Sequence, residues 1–176
     1  MNIYSDHHIM IFDDDTFTAK LLESVLLSLG VGKVSLMQNL DEAQQYLTNY
    51  TVDCVMMEWI GWEKPSLEFL TFIRTSGKAA NPKVPVIMCT GHTDYNHIIK
   101  ARDAGANEVV AKPITPNHVF EKLYSSLYKV RDFIAEEAFT GPDRRRHSAD
   151  FQGEDRREDV AMSQDAIDQI MVKKNE

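Results

Sequence analysis

The segment Ile9-Met10-Ile11-Phe12-Asp13-Asp14-Asp15 decides the fold, because four apolar residues end abruptly in three acids. A short apolar run bounded by polar residues is typical of a strand buried on both faces of a sheet. The apolar residues that follow recur at helical spacing as far as Gly30, a natural C-terminal stop. They are Phe17, Leu21, Leu22, Val25, Leu26 and Leu29. This order predicts a strand followed directly by an amphipathic helix.

The same alternation continues to about residue 130. Further apolar runs, each predicted to be a buried strand, lie at residues 34–37, 54–57, 84–89 and 109–111. Thr115 and Pro116 favour the start of a last helix, since threonine caps helices and proline suits the first helical position. The predicted apolar face of that helix carries Val119, Phe120, Leu123, Leu127 and Val130.

Strands that alternate with helices predict an α/β fold with a parallel sheet covered on both faces. Right-handed crossovers leave few topologies for such a chain. We expect the flavodoxin-like, doubly wound order 2-1-3-4-5, whose ligand crevice lies at the carboxyl ends of the first and third strands.

Composition limits the classes of function. The chain has 176 residues, is 43% hydrophobic and carries a net charge of -8. A net acidic chain is a poor general ligand for nucleic acid, because phosphate binding needs a basic face. Cys54 and Cys89 lie inside apolar runs, which favours reduced core cysteines over a disulfide or a metal site. The N-terminus has no apolar signal region, and no apolar stretch approaches the ~20 residues that cross a bilayer. We therefore expect a soluble, cytoplasmic protein.

The composition changes near residue 140. We predict a folded domain over residues 5–135 and a C-terminal extension, the tail, over residues 136–176. In the tail, Gly141-Pro142-Asp143-Arg144-Arg145 is echoed by Gly153-Glu154-Asp155-Arg156-Arg157, and residues 160–172 predict a short amphipathic helix. Because arginine suits bidentate pairing with carboxylates, we expect the tail to dock on the acidic body or on a neighbouring subunit. A solvated tail is the open alternative, since exposed ion pairs are worth only ~0–1 kcal/mol each.

Acidic side chains follow two of the predicted strands. Asp13 and Asp14 follow the first strand, and Glu58 follows the third. Carboxylates that converge at one sheet edge repel one another unless a cation joins them, and Mg²⁺ prefers oxygen ligands. Thr90 ends the fourth strand and Lys112 the fifth. Acids, a hydroxyl and an ammonium around Mg²⁺ predict a site that handles phosphoryl groups.

The residues Asp13-Asp14, Thr90 and Lys112-Pro113 resemble, in order and spacing, the motif set of response-regulator receiver domains of bacterial two-component systems. The resemblance covers roughly residues 5–135, and the Gly141-Pro142-Asp143 tail resembles that of stand-alone receivers. It implies phosphorelay signal transduction without enzymatic turnover. The implied partners are a sensor histidine kinase or phosphotransfer protein and a downstream protein, and a homodimer is compatible with the family.

The resemblance also implies a role for each matching residue. Asp13 and Asp14 would hold Mg²⁺, with Asp14 as the direct ligand, and the backbone carbonyl of Ile60 would be a further ligand. Thr90 would bond a phosphoryl oxygen, and Lys112 would pair with it. The Lys112–Pro113 peptide would be cis, which X-Pro bonds permit.

The chain departs from the receiver pattern at the phosphoacceptor, where Glu58 stands in place of aspartate. Trp62 and Ser66 replace a customary proline and glycine, and Val109 replaces a switching aromatic residue. The glutamate carboxylate sits one methylene farther out, and a misplacement of about 1 Å can cost ~10²-fold in rate. We expect phosphotransfer to be poor or absent. Glu58 then either mimics the phosphorylated state in part or is an inert acceptor in a protein-binding scaffold, and an engineered replacement of aspartate is a third alternative.

Two other classes of protein compete with this interpretation. A haloacid-dehalogenase-like phosphatase would use Asp13 as nucleophile and Asp15 as acid/base. Phe17 stands where that pattern expects threonine or valine, and no acidic pair follows Lys112 on a strand end. A flavodoxin-like FMN binder is disfavoured because an acidic crevice repels the FMN phosphate.

Overall fold

The computed structural model describes residues 3–59, 64–91, 95–129, 131–136 and 139–143. The strands of its main sheet are β1 (His8–Phe12), β2 (Lys33–Met37), β3 (Cys54–Glu58), β4 (Val86–Thr90) and β5 (Glu108–Ala111). The helices are α1 (Thr16–Ser28), α2 (Leu40–Asn49), α3 (Lys64–Thr75), α4 (Tyr95–Asp103) and α5 (Pro116–Tyr128). An antiparallel hairpin, β6 (Phe133–Glu136) and β7 (Phe139–Pro142), follows α5.

The main sheet is parallel and has the strand order β2-β1-β3-β4-β5. This confirms the predicted flavodoxin-like, doubly wound α/β topology. The apolar runs form the strands because β1, β3 and β4 are buried on both faces, where unbroken runs of hydrophobic residues are stable.

The core has two layers, one on each face of the sheet. Met10 and Phe12 of β1 point to the layer that α2, α3 and α4 cover. Ile9 and Ile11 point to the opposite layer, which α1 and α5 cover. This alternation along one strand is the two-residue period of extended chain, and it explains why the strand needs apolar residues at every position.

The prediction of which residues form the buried apolar faces of α1 and α5 is wrong in part. Phe17 is 78% exposed, and Leu21 and Phe120 are exposed as well. Each helix buries a narrower stripe, with Leu22 and Leu26 at the centre of the stripe on α1. Periodicity places a residue on the apolar side of a helix but does not tell whether the protein's own sheet covers it.

The hairpin packs closely against the loop between α4 and β5. A Cβ atom on Gly141 would lie 2.8 Å from the Cα of Gly105, and one on Gly105 would lie 2.8 Å from the carbonyl oxygen of Thr140. Gly105 also has a φ of +100°, which favours glycine. The glycine of the first Gly-Pro-Asp-Arg-Arg motif is therefore required by a backbone contact.

Arg74, at the end of α3, is buried beneath this hairpin. Its guanidinium donates hydrogen bonds to the carbonyl oxygens of Gly105, at 3.0 and 3.1 Å, and of Pro82 and Val84, each at 2.8 Å. The ring of Phe133 lies 5.6 Å from the guanidinium carbon. Carbonyl oxygens thus replace water around a buried cation, and the hairpin belongs to the same folded body.

The predicted division between residues 135 and 136 stays a prediction, and β6 spans it. One compact unit extends past this boundary, as far as residue 144. The second arginine motif and the helix predicted over residues 160–172 lie outside the described residues. Within the described ranges, no helix has the length and apolarity that would cross a membrane.

Candidate functional site

The ends of the parallel strands bring the predicted polar residues to one edge of the sheet. Asp13 directly follows β1, Glu58 ends β3 and Thr90 ends β4. Lys112 follows β5, and its backbone N–H donates to the carbonyl of Thr90 at 2.8 Å. The Lys112–Pro113 peptide is cis, as the resemblance implied. These positions agree with the crevice expected for this topology.

Glu58 and Lys112 form an ion pair at the centre of the site. The Nζ of Lys112 lies 2.5 Å from Oε1 of Glu58, and both side chains are mostly buried. A hydrogen bond fixes the backbone of Glu58, because the Ser66 hydroxyl donates to its carbonyl at 2.8 Å. The next residue, Trp59, donates its N–H to the Cys89 carbonyl at 2.9 Å. The chain around Glu58 is therefore fixed while its carboxylate meets the lysine.

Asp13 is buried beside this pair. Its Oδ1 accepts a hydrogen bond from the backbone N–H of Asp15 at 2.9 Å. Burial, and then a hydrogen bond with the Glu58 carboxyl, raise the pKa of Asp13 to about 7, although Lys112 opposes the shift. Two carboxyl groups in contact cannot both ionise freely, so near neutrality they share a proton or need a cation.

The other two acids of the triplet point away from that pair. Asp14 is exposed and lines a separate cavity of 260 Å³ together with Gln38 and Glu68. Asp15 caps α1, because its carboxylate accepts from the backbone N–H of Thr18 at 2.7 Å. That hydrogen bond holds the pKa of Asp15 below its usual range. A capping role for Asp15 argues against the acid/base role that a phosphatase would need.

The predicted magnesium ligands are only partly gathered. Among the described residues, no three histidine, cysteine or acidic side chains lie where they could hold a metal ion together. Ile60, the predicted carbonyl ligand, lies outside those residues. Asp13 and Glu58 do meet, and Mg²⁺ is commonly held by one or two carboxylates and several waters. When both carboxyl groups are ionised, they carry one negative charge more than Lys112 balances, so the pair fits a hard divalent cation, although Glu58 is turned to Lys112 and Asp14 lines a separate cavity.

Two features beside the site were not anticipated from the sequence. Trp59 is buried, and its ring meets the edge of His97 with centroids 5.5 Å apart. A cavity of 360 Å³ adjoins Thr90 and Val109. The small size of Val109, where an aromatic residue was expected, was the signal for this cavity.

A doubly wound sheet with acids, a threonine and a lysine at its strand ends defines the receiver class of signalling domains. The family model for the response regulator receiver domain matches residues 9–124. The chain is 26% identical over 125 residues to the probable transcriptional regulator ycf27 of Cyanidium caldarium, covering 71% of this chain and 48% of that protein. It is 29% identical over 116 residues to a chemotaxis protein CheY homolog of Campylobacter jejuni, covering 65% of this chain and 88% of that protein.

A solved structure shows the same fold. It is the receiver domain of a sensor histidine kinase from Pseudomonas aeruginosa with a magnesium ion in its active-site cleft, and it has a TM-score of 0.61 at 21% identity. It covers 69% of this chain and 97% of its own. The chain belongs to the response regulator receiver domain family, and it spans about half the length of the ycf27 relative.

Proposed function

We propose that this chain is an atypical receiver in a two-component phosphorelay, in which Glu58 holds the phosphoacceptor position and signalling proceeds by protein–protein contact. The contact of 2.5 Å between Lys112 and Glu58 carries the proposal. Lys112 is the residue expected to meet a phosphoryl oxygen, and here a carboxylate of the chain already occupies it. The charge pairing that phosphorylation would create is thus built in, which favours partial mimicry of the phosphorylated state over an inert scaffold.

The same geometry disfavours phosphoryl transfer to Glu58. An extra methylene moves the carboxylate outward by a bond of ~1.5 Å. Displacement of a reacting group by about 1 Å can reduce the rate ~10²-fold. Engagement by Lys112 also withdraws electron density from the oxygen that would have to attack phosphorus.

Mg²⁺ is the proposed cofactor. We propose Asp13, Asp14, Glu58 and the backbone carbonyl of Ile60 as its ligands. The magnesium ion in the cleft of the Pseudomonas aeruginosa receiver supports this assignment. When bound, Mg²⁺ would neutralise the carboxyl pair and orient phosphoryl oxygens.

The proposed location of the chain is the cytoplasm, and the proposed partners are a sensor histidine kinase or phosphotransfer protein and a downstream protein. We propose neither a membrane nor a nucleic-acid ligand, because the chain is acidic, with a net charge of -8. We also propose no enzymatic turnover, since Asp15 caps α1. An assay with a generic aryl phosphate checks the phosphatase alternative, and sustained hydrolysis would restore it.

Acetyl phosphate labelling in the presence of Mg²⁺ tests the acceptor. The wild-type chain should remain unlabelled, whereas Glu58→Asp should gain label because Asp13, Thr90 and Lys112 are already in place. Glu58→Gln is the matched control and should stay unlabelled. Robust labelling of wild type at Glu58, or none in Glu58→Asp, would overturn the proposal.

Amide NMR spectra separate mimicry from an inert scaffold. If Glu58 mimics the phosphorylated state, the wild-type resonances of α4 and β5 should resemble those of labelled Glu58→Asp. They should differ from those of Glu58→Gln, which lacks the charge. Wild-type resonances that coincide with those of Glu58→Gln would favour the inert scaffold.

A further inference from the structure

The cavity of 360 Å³ beside Thr90 lies between α4 and β5, and we call it the α4–β5 cavity. Lys122 of α5 also lines it. Its volume is at the lower end of the range of about 300–1,000 Å³ that small-molecule sites in proteins have. The α4–β5 cavity therefore has room for a molecule of one or two rings rather than for a large cofactor.

Much of the wall of the α4–β5 cavity is apolar. Its apolar carbons come from Ile98 on α4, Ala106 in the following loop, and Val109 and Ala111 on β5. Ile98 is 40% exposed although it is apolar, and Val109 is half-buried. A ligand that removes these carbons from water gains hydrophobic free energy. The wall therefore favours a ligand with an apolar body.

The ionised groups at the α4–β5 cavity sum to a positive charge. Arg102, Lys122 and Glu108 line it. The Glu108 carboxylate is already engaged, because its oxygens lie 2.9 Å from Nζ of Lys122 and 2.9 Å from Nη2 of Arg131. Asp103 pairs with Arg102, so three cations stand against two carboxylates. This local excess of one positive charge, in a chain of net charge -8, favours an anionic ligand.

Arg102 is the cation best placed to receive that anion. Its Nε and Nη2 donate to Oδ1 of Asp103 at 3.0 and 2.9 Å, and its side chain is 50% exposed. A guanidinium has five N–H donors, and within the described part of the chain these two contacts use two of them. Three donors are left for a carboxylate, which guanidinium groups bind in a bidentate manner.

We propose that the α4–β5 cavity binds a small aromatic carboxylate of one or two rings. The ring lies against Ala106 and Val109, and its carboxylate accepts hydrogen bonds from Arg102. An aromatic ring is favoured over a saturated one, because the cations of Arg102 and Lys122 are also attracted to the face of a π system. A single excess positive charge matches a monocarboxylate better than a phosphate ester, which carries about two negative charges near neutrality.

Thr90 connects the α4–β5 cavity with the strand-end crevice. This residue is buried and lines the cavity, and its carbonyl accepts a hydrogen bond from the N–H of Lys112 at 2.8 Å. A bound ring therefore adjoins a residue of the crevice without filling the crevice itself. Binding in the cavity needs neither Mg²⁺ nor a phosphoryl group, so it stands or falls separately from the proposed function.

Titration of the full-length chain with 2-naphthoate, followed by amide NMR, tests the site. The resonances of Thr90, Ala106 and Val109 should shift saturably, with a dissociation constant of about 1 mM or tighter for a ligand of this size. The amide 2-naphthamide keeps the rings without the charge and should bind about fivefold more weakly. Decahydro-2-naphthoate keeps the charge without the π faces and should also bind more weakly.

Two substitutions at Val109 change the volume of the cavity in opposite directions. Val109→Phe places a ring of the chain in the cavity, so the dissociation constant of 2-naphthoate should rise more than about tenfold. Val109→Ala leaves the space open and should keep that constant within about threefold of wild type. Because Val109 is half-buried, both variants should fold, and thermal unfolding followed by circular dichroism verifies this.

A charge substitution tests the carboxylate contact. Arg102→Gln should weaken 2-naphthoate about fivefold and leave 2-naphthamide unchanged. Lys33→Gln is the matched control, because it removes the same charge from an exposed position on β2, at the opposite edge of the sheet from β5. Four strand spacings separate the two edges by about 19 Å. Salt screens charges over that distance, so Lys33→Gln should stay within about twofold of wild type.

Several outcomes would overturn the proposal. The absence of saturable shifts with 2-naphthoate excludes the site, and shifts confined to residues away from the cavity place the ligand elsewhere. Equal affinity for 2-naphthamide would exclude recognition of the carboxylate. Unchanged binding in Val109→Phe would exclude the cavity. Equal weakening in Arg102→Gln and Lys33→Gln would reduce the effect to the net charge of the chain.

Discussion

Lys112 and Glu58 join two strands that are not neighbours in the sheet, since β4 lies between β3 and β5. Their charged atoms are 2.5 Å apart, and Asp13 adjoins the pair. Because both side chains are mostly buried, salt screens the attraction less than at an open surface. The crevice therefore carries its own cation and anion at rest.

Mg²⁺ should change the emission of Trp59. In a Trp62→Phe variant, Trp59 is the sole tryptophan, and it is buried directly after Glu58. A cation that binds Asp13 and Glu58 competes with Lys112 and changes the charges beside this ring, so emission should change saturably. Asp13→Asn should weaken the response. An unchanged signal, with no heat in calorimetry, would contradict Mg²⁺ binding.

Arg74→Met should lower the free energy of unfolding by about 3 kcal/mol or more, because it leaves buried carbonyls at Pro82, Val84 and Gly105 without donors. Arg102→Met is the matched control at an exposed ion pair with Asp103, and it should change stability by less than about 0.5 kcal/mol. Urea unfolding followed by circular dichroism measures both. Equal effects of the two substitutions would refute a structural role for Arg74.

Gly141→Ala should destabilise the chain by about 1–3 kcal/mol, since the new Cβ would lie 2.8 Å from the Cα of Gly105. Gly91→Ala is the control, because a Cβ there meets no atom within 4 Å. Thermal unfolding of the two variants compares them directly. Full stability of Gly141→Ala would show that the hairpin does not depend on this contact.

His8 should contribute a pH dependence to stability. Its Nε2 lies 2.9 Å from the Ser35 hydroxyl, and burial, followed by Lys33, lowers the pKa of His8 while Asp53 raises it. The unfolded chain therefore takes up a proton at a higher pH than the folded one. Stability from this group falls as pH falls through about 6.5.

His8→Gln should remove that contribution. The raised pKa of Asp13 acts with the opposite sign in the same range, so the variant must be compared with wild type. The loss of unfolding free energy between about pH 7.5 and about pH 5.5 should be smaller in His8→Gln. Parallel pH profiles in the two proteins would exclude His8 as the source.

The fold was predictable because unbroken apolar runs identify strands covered on both faces. The meeting of Asp13, Glu58 and Lys112 was predictable for a related reason, since parallel strands end at one edge. Side-chain direction was not predictable. Glu58 turns toward Lys112, while Asp14 is exposed and lines a separate cavity. Rotamer choice depends on neighbours that the linear pattern does not specify.

Neither the hairpin nor the burial of Arg74 was predicted, and the reasons differ. The strands of the hairpin, at residues 133–136 and 139–142, are short. The sequence between them lacks the Asn-Gly type of turn signal. An arginine at a helix end normally predicts a solvated side chain. Here, carbonyls 8, 10 and 31 residues away satisfy its guanidinium, and no pattern in the sequence indicates them.

The close approach of Gly141 and Gly105 also determines which residues must be included when this receiver is fused to another protein. The family match ends at residue 124, before β6 begins. A chimeric regulator joined there would uncover Arg74 and leave it facing water on the side that Phe133 shields. The portable unit of this receiver therefore extends to Asp143, whose N–H donates to the carbonyl of Asp132 and closes the hairpin.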